Sequence, residues 1–277
     1  MKNTVSWKEL EMITEPATGL RFMELSHEWG HYTPAFPGYA DIQVHRVATI
    51  AKQGVLTQHI VTSMHHGTHV NAPIHLAQRG AGVGELPLEN FFGTGVVLDI
   101  PKGEWEYIEP ADLEAAGRVQ AGDIIVINTG WHRRYSDNME YFGHGPGLSE
   151  AAAQWLADHQ AKMVAIDTAT IDHPLATSLA RQHRFVGPHI VELPRRYRNR
   201  TGREVTADFP KWSPAGKLLA KAGIPTIENV GGDVDEVSGK RAAFHAYPWF
   251  WPEADACIIR FVAILDPSGT YRLESGS

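Results

Sequence analysis

Residues 123–167 contain the pattern that most constrains the fold. Two short β-branched and aliphatic runs, residues 123–129 and 163–167, have the length and composition of strands. Between them, residues 149–160 begin with Ser149 as a helix N-cap and repeat apolar side chains at helical spacing. A strand, a helix and a second strand in this order normally form a right-handed parallel crossover. The pattern therefore predicts an α/β protein with a parallel element.

The remaining segments predict a mixed sheet with flanking helices. A second helix is predicted at residues 109–116, and several strands precede it, which indicates a mixed arrangement rather than a plain doubly wound sheet. The chain shows no repeat or linker, so we predict one domain over residues 1–277. Residues 183–212, rich in proline, arginine and aromatics, are predicted to be irregular. The further predicted strands are residues 43–50, 59–63, 95–100, 224–228 and 256–265.

Composition and charge argue against several classes of protein. The 277 residues include 25 basic and 32 acidic ones, and the net charge of −7 offers no electrostatic footprint for nucleic acid or an anionic membrane. The single cysteine, Cys257, has apolar neighbours and is predicted to be a buried thiol. Residues 1–16 lack the apolar core of a signal peptide, and no segment has the length and apolarity of a membrane span. We therefore expect a cytoplasmic protein that acts on a small molecule.

Histidine is unusually frequent, with fifteen in the chain, and several of them fall within residues 59–75. Gly67, the β-branched Val70 and Pro73 oppose a helix there, so an extended chain is predicted. Side chains alternate between the two sides of an extended chain, and His66 would face one side. Four groups able to bind a metal or move a proton would share the other side: His65, His69, Asn71 and His75.

These clustered histidines indicate a metal site or a proton-transfer site. Imidazole is the commonest metal ligand and titrates near neutrality. We interpret His65 and His69 together as metal ligands, although an isolated histidine is more often a core or surface residue. His75 is a candidate general base, because it lies a few residues further along the same side. Alternatively, His75 only orients a ligand through a hydrogen bond.

Two other chemistries are disfavoured. The glycine-rich residues 80–84 follow no clear strand and open no helix, so we interpret them as a flexible loop rather than a nucleotide-binding loop. The chain contains no Gly-x-Ser-x-Gly elbow, which argues against a serine hydrolase.

Residues 65–75, HHGTHVNAPIH, resemble the HxGTHxDxPxH signature of the cyclase family of metal-dependent hydrolases. That family includes bacterial kynurenine formamidase, isatin hydrolase and a trans-dienelactone hydrolase. The resemblance covers residues 22–265, because further segments match the family's motifs in order. They are residues 23–27, 33–38, 122–131, 146–149, 165–172, 227–230 and 260–265.

The resemblance implies a swivelling β/β/α-type fold, a homodimer or homotetramer, and hydrolysis of an amide or ester carbonyl with Zn or Mn. By position, His65 and His69 match the first two metal ligands of the family. Asn71 matches the position of an aspartate ligand, and His75 matches the catalytic histidine. Glu228 matches a carboxylate ligand of the second metal in members that bind two.

Two positions depart from the family pattern. Asn71 stands where the family has aspartate, and an amide oxygen can bind a cation but carries no charge. Gly216 occupies the position of a histidine of the second metal, so we expect one divalent metal, Zn or Mn, unless another histidine rebuilds the second site. The candidates for such a replacement are His173, His189 and His245. With less charge compensation, the metal should be held more weakly and should polarise its ligands more strongly.

Three residues are candidates for substrate binding. Phe36 and Trp131 could line a flat apolar pocket, although aromatic residues more often fill a core or a subunit interface. Arg260 lies on an otherwise apolar strand, where it could bind a substrate carboxylate or form a structural ion pair.

The sequence thus predicts a metal-dependent hydrolase that cleaves a cyclic amide, a formamide or a lactone, using a metal-activated water and acid/base assistance from His75. A kynurenine formamidase proper is disfavoured, because ligands of the second metal are missing. The alternative is a catalytically inactive family member that acts as a binding or structural protein. Retention of His65, His69, His75 and Glu228 favours the enzyme.

Overall fold

Runs of β-branched and aliphatic residues form most of the strands, because such side chains pack well on a pleated surface. The structure is a computed structural model that describes residues 13–181 and 189–271. The strands in this part of the chain are β1 (Ile13–Thr14), β2 (Arg21–Glu24), β3 (Gln43–Ala48), β4 (Thr57–Val61), β5 (His69–Asn71), β6 (Phe92–Asp99), β7 (Tyr107–Ile108), β8 (Ile124–Asn128), β9 (Gly147–Leu148), β10 (Met163–Ile166), β11 (Thr226–Glu228), β12 (Arg241–His245), β13 (Ala256–Ile258) and β14 (Val262–Leu265). The α-helices are α1 (Ile50–Gln53), α2 (Pro110–Ala116), α3 (Met139–His144), α4 (Glu150–Asp158), α5 (His189–Thr201), α6 (Val205–Asp208) and α7 (Pro214–Lys221).

Ten of the described strands form one mixed sheet, in the order β1-β2-β14-β12-β6-β8-β10-β11-β5-β13. Strands β6, β8, β10 and β11 are parallel to one another, and the strands on both sides of them pair antiparallel. The predicted crossover is confirmed, because β8 and β10 pair in parallel and α4 connects them. Ser149 caps α4 as predicted, since its Oγ accepts a hydrogen bond from the N–H of Ala152.

The sheet is buried on both faces. Along β8, Ile125 and Ile127 pack into a core that α2, α4 and α7 cover. Ile124 and Val126 point to the opposite face, where strands from both ends of the sheet contribute to one shared core. Strands that lie far apart in the sheet order meet in that core, so the sheet curls around it. The large curled mixed sheet with flanking helices confirms the predicted fold class.

Strands β3 and β4 form a separate antiparallel hairpin. Every residue of β4 is exposed, and the hairpin and its flanks display large apolar side chains, namely Val47, Ile50, Val55, Leu56, Ile60 and Val61.

The homodimer or homotetramer implied by the resemblance stays a prediction, and so does the single domain over residues 1–277. Among the described residues, no helix combines the length and the apolar character needed to cross a membrane.

Two predictions about secondary structure were wrong. The single strand predicted at residues 256–265 is two strands, β13 and β14, which pair with different partners. Residues 183–212 were predicted to be irregular, yet they include α5 and α6, while residues 182–188 lie outside the described part of the chain. Helix α5 forms because arginine has a high helix propensity, and because Leu193 and Tyr197, four residues apart, make one buried stripe.

Candidate metal centre

The histidine-rich stretch is not extended throughout. A turn precedes β5, and in it Gly67 has φ of +67°, a left-handed value that favours glycine. Only His69–Asn71 forms a strand, and Pro73–His75 forms a 3-10 turn. The prediction of a continuous extended segment was therefore wrong, because the turn interrupts the alternation of side chains. The turn instead brings Nδ1 of His65 to 3.3 Å from Nε2 of His69.

The sheet brings Glu228 to His69. Strand β5 pairs antiparallel with both β11 and β13, and the register places His69 beside Glu228. His69 is 1% exposed, and its Nε2 lies 3.3 Å from Oε2 of Glu228. The other carboxylate oxygen of Glu228 accepts a hydrogen bond from the backbone N–H of Ile171 at 2.8 Å. Two residues far apart in the sequence, both predicted as ligands, thus meet inside the sheet.

Hydrogen bonding turns Nε2 of His69 towards Glu228. Nδ1 of His69 lies 2.8 Å from the carbonyl oxygen of Gly67 and donates its N–H to that oxygen. Burial acts to raise the pKa of Glu228, but the hydrogen bond and charge of His69, the N–H of Ile171 and the side chain of Asn71 outweigh burial, so the pKa is lowered. The effect of His69 requires a positive charge between its Nε2 and the carboxylate, which is a proton or a metal ion in its place.

His65 presents Nδ1 to the same point. Its Nε2 lies 2.9 Å from Oδ2 of Asp255, and an ionised carboxylate only accepts, so Nε2 carries the proton. Burial lowers the pKa of His65 although the hydrogen bond to Asp255 opposes this, and the neutral ring has its lone pair on Nδ1. Two nitrogens bound to one Zn at about 2.0–2.1 Å in tetrahedral geometry are about 3.3 Å apart. The 3.3 Å between Nδ1 of His65 and Nε2 of His69 fits that separation.

Asn71 contributes a further buried oxygen. It follows His69 by two positions on β5 and therefore lies on the same side of the strand. Its side chain is hydrogen-bonded to Glu228, yet its Oδ1 is buried and has no hydrogen-bond partner among the described residues. A buried oxygen without a partner costs about 1–3 kcal/mol, and a bound cation would remove this cost. The donor atoms of His65, His69, Asn71 and Glu228 therefore fit a divalent metal.

Asp255 is a site residue that the sequence analysis missed. Its Oδ2 lies 2.9 Å from Nε2 of His65 and 3.4 Å from Nδ1 of His75, and these hydrogen bonds hold the pKa of Asp255 far below its usual range. Ligand atoms of the three residues lie within 4.8 Å of one another. The one available signal was an acidic residue directly before the apolar strand β13. Its proximity to the histidines arises only from the pairing of β13 with β5.

Tyr39 is a second residue that the sequence analysis missed. Its ring stacks parallel to the ring of His65, with 5.8 Å between the centroids. Burial raises the pKa of Tyr39, and the negative charges of Asp255 and Glu228 raise it further. Phe36, predicted to bind substrate, contacts Tyr39 with a centroid distance of 6.2 Å and packs edge-on against Phe142. An aromatic wall that includes Phe36 therefore lies beside the histidines.

The structure does not bring the other two predicted substrate residues to the histidines. Trp131 is 3% exposed, and its Nε1 donates a hydrogen bond to the carbonyl oxygen of Tyr141 inside an aromatic core. Arg260 is exposed and forms an ion pair with Glu24. These placements agree with the core and ion-pair alternatives considered from the sequence.

Gly216, at the position of the second metal's histidine, packs closely against two side chains. Its N–H, in the first turn of α7, donates a hydrogen bond to Asp172, and a Cβ at this position would lie 2.7 Å from Oδ2 of Asp172 and from Cδ1 of Leu76. A cavity of about 10 Å³, enough for about one water, separates this turn from the site. Its lining includes Asn71, His75, Gly216 and Thr226.

The two replacement histidines whose side chains the structure describes do not rebuild that second site. His173 is buried, with Nδ1 accepting from the N–H of Leu175 and Nε2 within 3.0 Å of the carbonyl oxygen of Trp105, so both nitrogens are used. His245 packs against Phe92 on β6. The side chain of His189 lies outside the described part of the structure. A single metal therefore remains the expectation.

The glycine-rich residues 80–84 pack closely rather than forming a flexible loop. The N–H of Val83 donates to the carbonyl oxygen of Ala254 at 2.8 Å, and the N–H of Ile74 donates to that of Ala81 at 3.1 Å. A Cβ at Gly82 would lie only 1.9 Å from the carbonyl oxygen of Pro252. The glycines therefore allow three backbones to approach each other, and they join the segments that carry His75 and Asp255.

Comparisons with known proteins identify the family to which the chain belongs. A model of the family described as "Putative cyclase" matches residues 23–173, more than half of the chain. The kynurenine formamidase of Delftia acidovorans (strain DSM 14801 / SPH-1) is 32% identical over 152 residues, which cover 53% of this chain and 68% of that protein. The kynurenine formamidase of Paracidovorax citrulli (strain AAC00-1) is 32% identical over 154 residues, with the same coverage of both chains.

Solved structures share the fold. Isatin hydrolase A from Ralstonia solanacearum superposes with a TM-score of 0.71 at 17% identity, covering 90% of this chain and 93% of that one. The structure of a potential metal-dependent hydrolase with cyclase activity superposes with a TM-score of 0.61 at 21% identity, covering 88% and 98%. On the family match, the sequence relatives and the common fold, this chain belongs to the cyclase family.

Proposed function

We propose that the protein is a metal-dependent hydrolase that cleaves an amide C–N bond, with a cyclic amide or a formamide as substrate and a lactone as the ester alternative. The observation that carries the proposal is that Nε2 of His69 lies 3.3 Å from Nδ1 of His65 and 3.3 Å from Oε2 of Glu228. Relatives named as a formamidase and an isatin hydrolase support hydrolysis of this bond type.

His65, His69, Asn71 and Glu228 would hold one divalent metal, Zn or Mn. When bound, the metal supplies Lewis acidity, which polarises a carbonyl group and lowers the pKa of water. The protein positions these four groups on β5, β11 and the turn at Gly67, so little rearrangement accompanies binding. Tyr39 and Phe36, whose rings are tilted by 52° to each other, would contact an aromatic substrate beside the histidines.

His75 transfers a proton from the attacking water to the leaving nitrogen in the proposed reaction. Its Nδ1 donates to Asp255, which leaves Nε2 as the acceptor for a proton of the attacking water. The water oxygen bonds to the carbonyl carbon, the C–N bond breaks, and His75 returns the proton to the leaving nitrogen. The products are a carboxylic acid and an amine, or the ring-opened amino acid when the substrate is cyclic. The side chain of His75 is 28% exposed, so solvent and substrate can reach it.

The test is hydrolysis by protein loaded with Zn or Mn, assayed against an N-formyl arylamine, an aryl-fused cyclic amide and an aryl lactone. We expect turnover of an amide that a chelator abolishes. His75→Gln should lower kcat by about 10²–10⁴-fold with its metal content unchanged, because the proton acceptor is lost. His159→Gln, at the exposed C-terminal end of α4, is the matched control. Hydrolysis that survives metal removal would contradict the proposal, and metal binding without turnover would favour the binding-protein alternative.

A further inference from the structure

Asp255 contacts two histidines that have different predicted roles. We propose that Asp255 is a positioning residue whose single carboxylate oxygen sets the tautomers of both the metal ligand His65 and the base His75. This inference rests on the proposed function, because it assigns the two histidines the roles given there. The aspartate is not part of the HxGTHxDxPxH segment. It directly precedes β13, which pairs with β5 on the edge opposite β11.

The geometry shows how one oxygen serves two rings. Oδ2 of Asp255 lies 2.9 Å from Nε2 of His65 and 3.4 Å from Nδ1 of His75, and the two ring centroids are 4.4 Å apart. Each ring donates one N–H to this oxygen, so its other nitrogen carries the lone pair. The lone pair of His65 then faces His69, and that of His75 is free to accept a proton. Carboxylates commonly orient metal-binding histidines in this way.

The backbone fixes Asp255 at this position. Its carbonyl oxygen accepts a hydrogen bond from the N–H of Ala72 at 2.9 Å, and the next residue, Ala256, pairs with Asn71 in the sheet. The residue before it, Ala254, accepts from Val83 of the glycine-rich segment at 2.8 Å. These bonds join Asp255 directly to the segment that leads from Asn71 to His75. A residue held in this way can orient neighbouring side chains.

A second arrangement would make Asp255 itself a metal ligand, together with Nε2 of His65 and with His75. In that case Nδ1 of His65 would donate to His69, and the side chain of Glu228 and the unpartnered Oδ1 of Asn71 would remain beside each other without a cation. Asp255 is also half exposed, with 54% of its side chain accessible, whereas the site of His69 and Glu228 is buried. The orienting role satisfies more of the buried groups.

The test compares zinc affinity across variants by competition with a chelator. Asp255→Asn should weaken Zn binding by about 10–100-fold, the usual effect of removing an orienting partner. The matched control is Glu253→Gln, which removes the same charge from an exposed carboxylate two residues away and should leave affinity unchanged. His69→Ala should abolish binding. An Asp255→Asn affinity within threefold of wild type would overturn the proposal, and so would a complete loss equal to that of His69→Ala.

A second readout needs no metal and separates this inference from the proposed function. In metal-free protein with ¹⁵N-labelled histidine, the His75 signal, assigned with His75→Gln, should show Nδ1 protonated and Nε2 unprotonated. Asp255→Ala should shift the population away from this tautomer, and Glu253→Gln should not. An unchanged tautomer in folded Asp255→Ala would overturn the inference even if zinc binds. Failure of the wild type to bind zinc would instead overturn the proposed function.

Discussion

Two histidine–carboxylate clusters differ in how completely their polar atoms are paired. The His132 cluster consists of His132, Asp167 and Asp235. Asp167 is fully buried and accepts four hydrogen bonds, from the N–H and hydroxyl of Thr129 and from the N–H and Nδ1 of His132. Nε2 of His132 lies 3.2 Å from Asp235. Burial alone would lower the pKa of His132, but the two carboxylates outweigh it and raise the pKa, which favours a fully paired imidazolium.

The His69 cluster, formed by His65, His69, His75, Glu228 and Asp255, adjoins a buried acceptor that has no partner among the described residues, Oδ1 of Asn71. Burial lowers the pKa of His65, so its ring is neutral, and neutral imidazole is the form that binds metals. Histidines next to carboxylates therefore serve different purposes according to their protons. A saturated cluster stabilises the fold, whereas converging ligand atoms beside an unpartnered buried oxygen fit a cation.

The largest expected effect on stability comes from a substitution that breaks the His132 cluster. Asp167→Asn should lower the free energy of unfolding by about 3 kcal/mol, because a buried ion pair loses its charged partner. Asp235→Asn, where 41% of the side chain is exposed, should cost about 1 kcal/mol or less. Urea unfolding measures both. Because the pKa of His132 is raised, its protonated ring stabilises the folded state. This stabilisation is complete at low pH and is lost as the pH rises through the pKa, so the loss of unfolding free energy in Asp167→Asn should shrink at high pH.

The same variant should keep its zinc affinity. Folded Asp167→Asn should bind Zn as tightly as the wild type does, because the His132 cluster presents no lone pair to a metal. Loss of zinc from folded Asp167→Asn would contradict the distinction between the two clusters.

A smaller effect concerns the glycines that hold the His69 cluster together. Gly82→Ala places a Cβ against the carbonyl oxygen of Pro252, so the loop carrying Asp255 must shift. We expect a loss of about 1–3 kcal/mol in unfolding free energy, together with weaker zinc binding. Gly30→Ala is the control, because a Cβ there meets nothing within 4 Å and its φ is not positive. Equal stability and zinc affinity in the two variants would show that residues 80–84 do not position the site.

The smallest expected effect tests whether Asn71 is a metal ligand. Asn71→Asp adds a negative charge next to Glu228 and should tighten zinc binding by about tenfold, because the cation is better compensated. The same change should lower the stability of the metal-free protein, since two carboxylates would then be buried together. Chelator competition and urea unfolding measure the two effects. Equal zinc affinity in the wild type and in Asn71→Asp would remove this side chain from the ligand set.

The sequence predicted the fold better than it predicted local geometry. The crossover through β8, α4 and β10 was predictable, because its strand and helix signals are local and strong. The turn at Gly67 was not, since periodicity alone does not reveal a left-handed residue within a β-rich run. Helix α5 was missed because Pro194 and the surrounding aromatics suggested a loop.

Within the site, the histidines of residues 65–75 and, through the resemblance, Glu228 could be identified in advance. Asp255 and Tyr39 could not, because their positions depend on contacts between segments far apart in the chain. Asp255 reaches His65 only through the pairing of β13 with β5. Tyr39 reaches the same ring by stacking from the segment before β3.

The most direct test of the central claim is the zinc content of untagged protein, stripped with chelator, reconstituted with Zn and measured by elemental mass spectrometry. We expect about one zinc per chain in the wild type and in folded His132→Gln, and essentially none in His69→Ala. Zinc retained by His69→Ala, or a wild-type protein that binds no zinc, would contradict it.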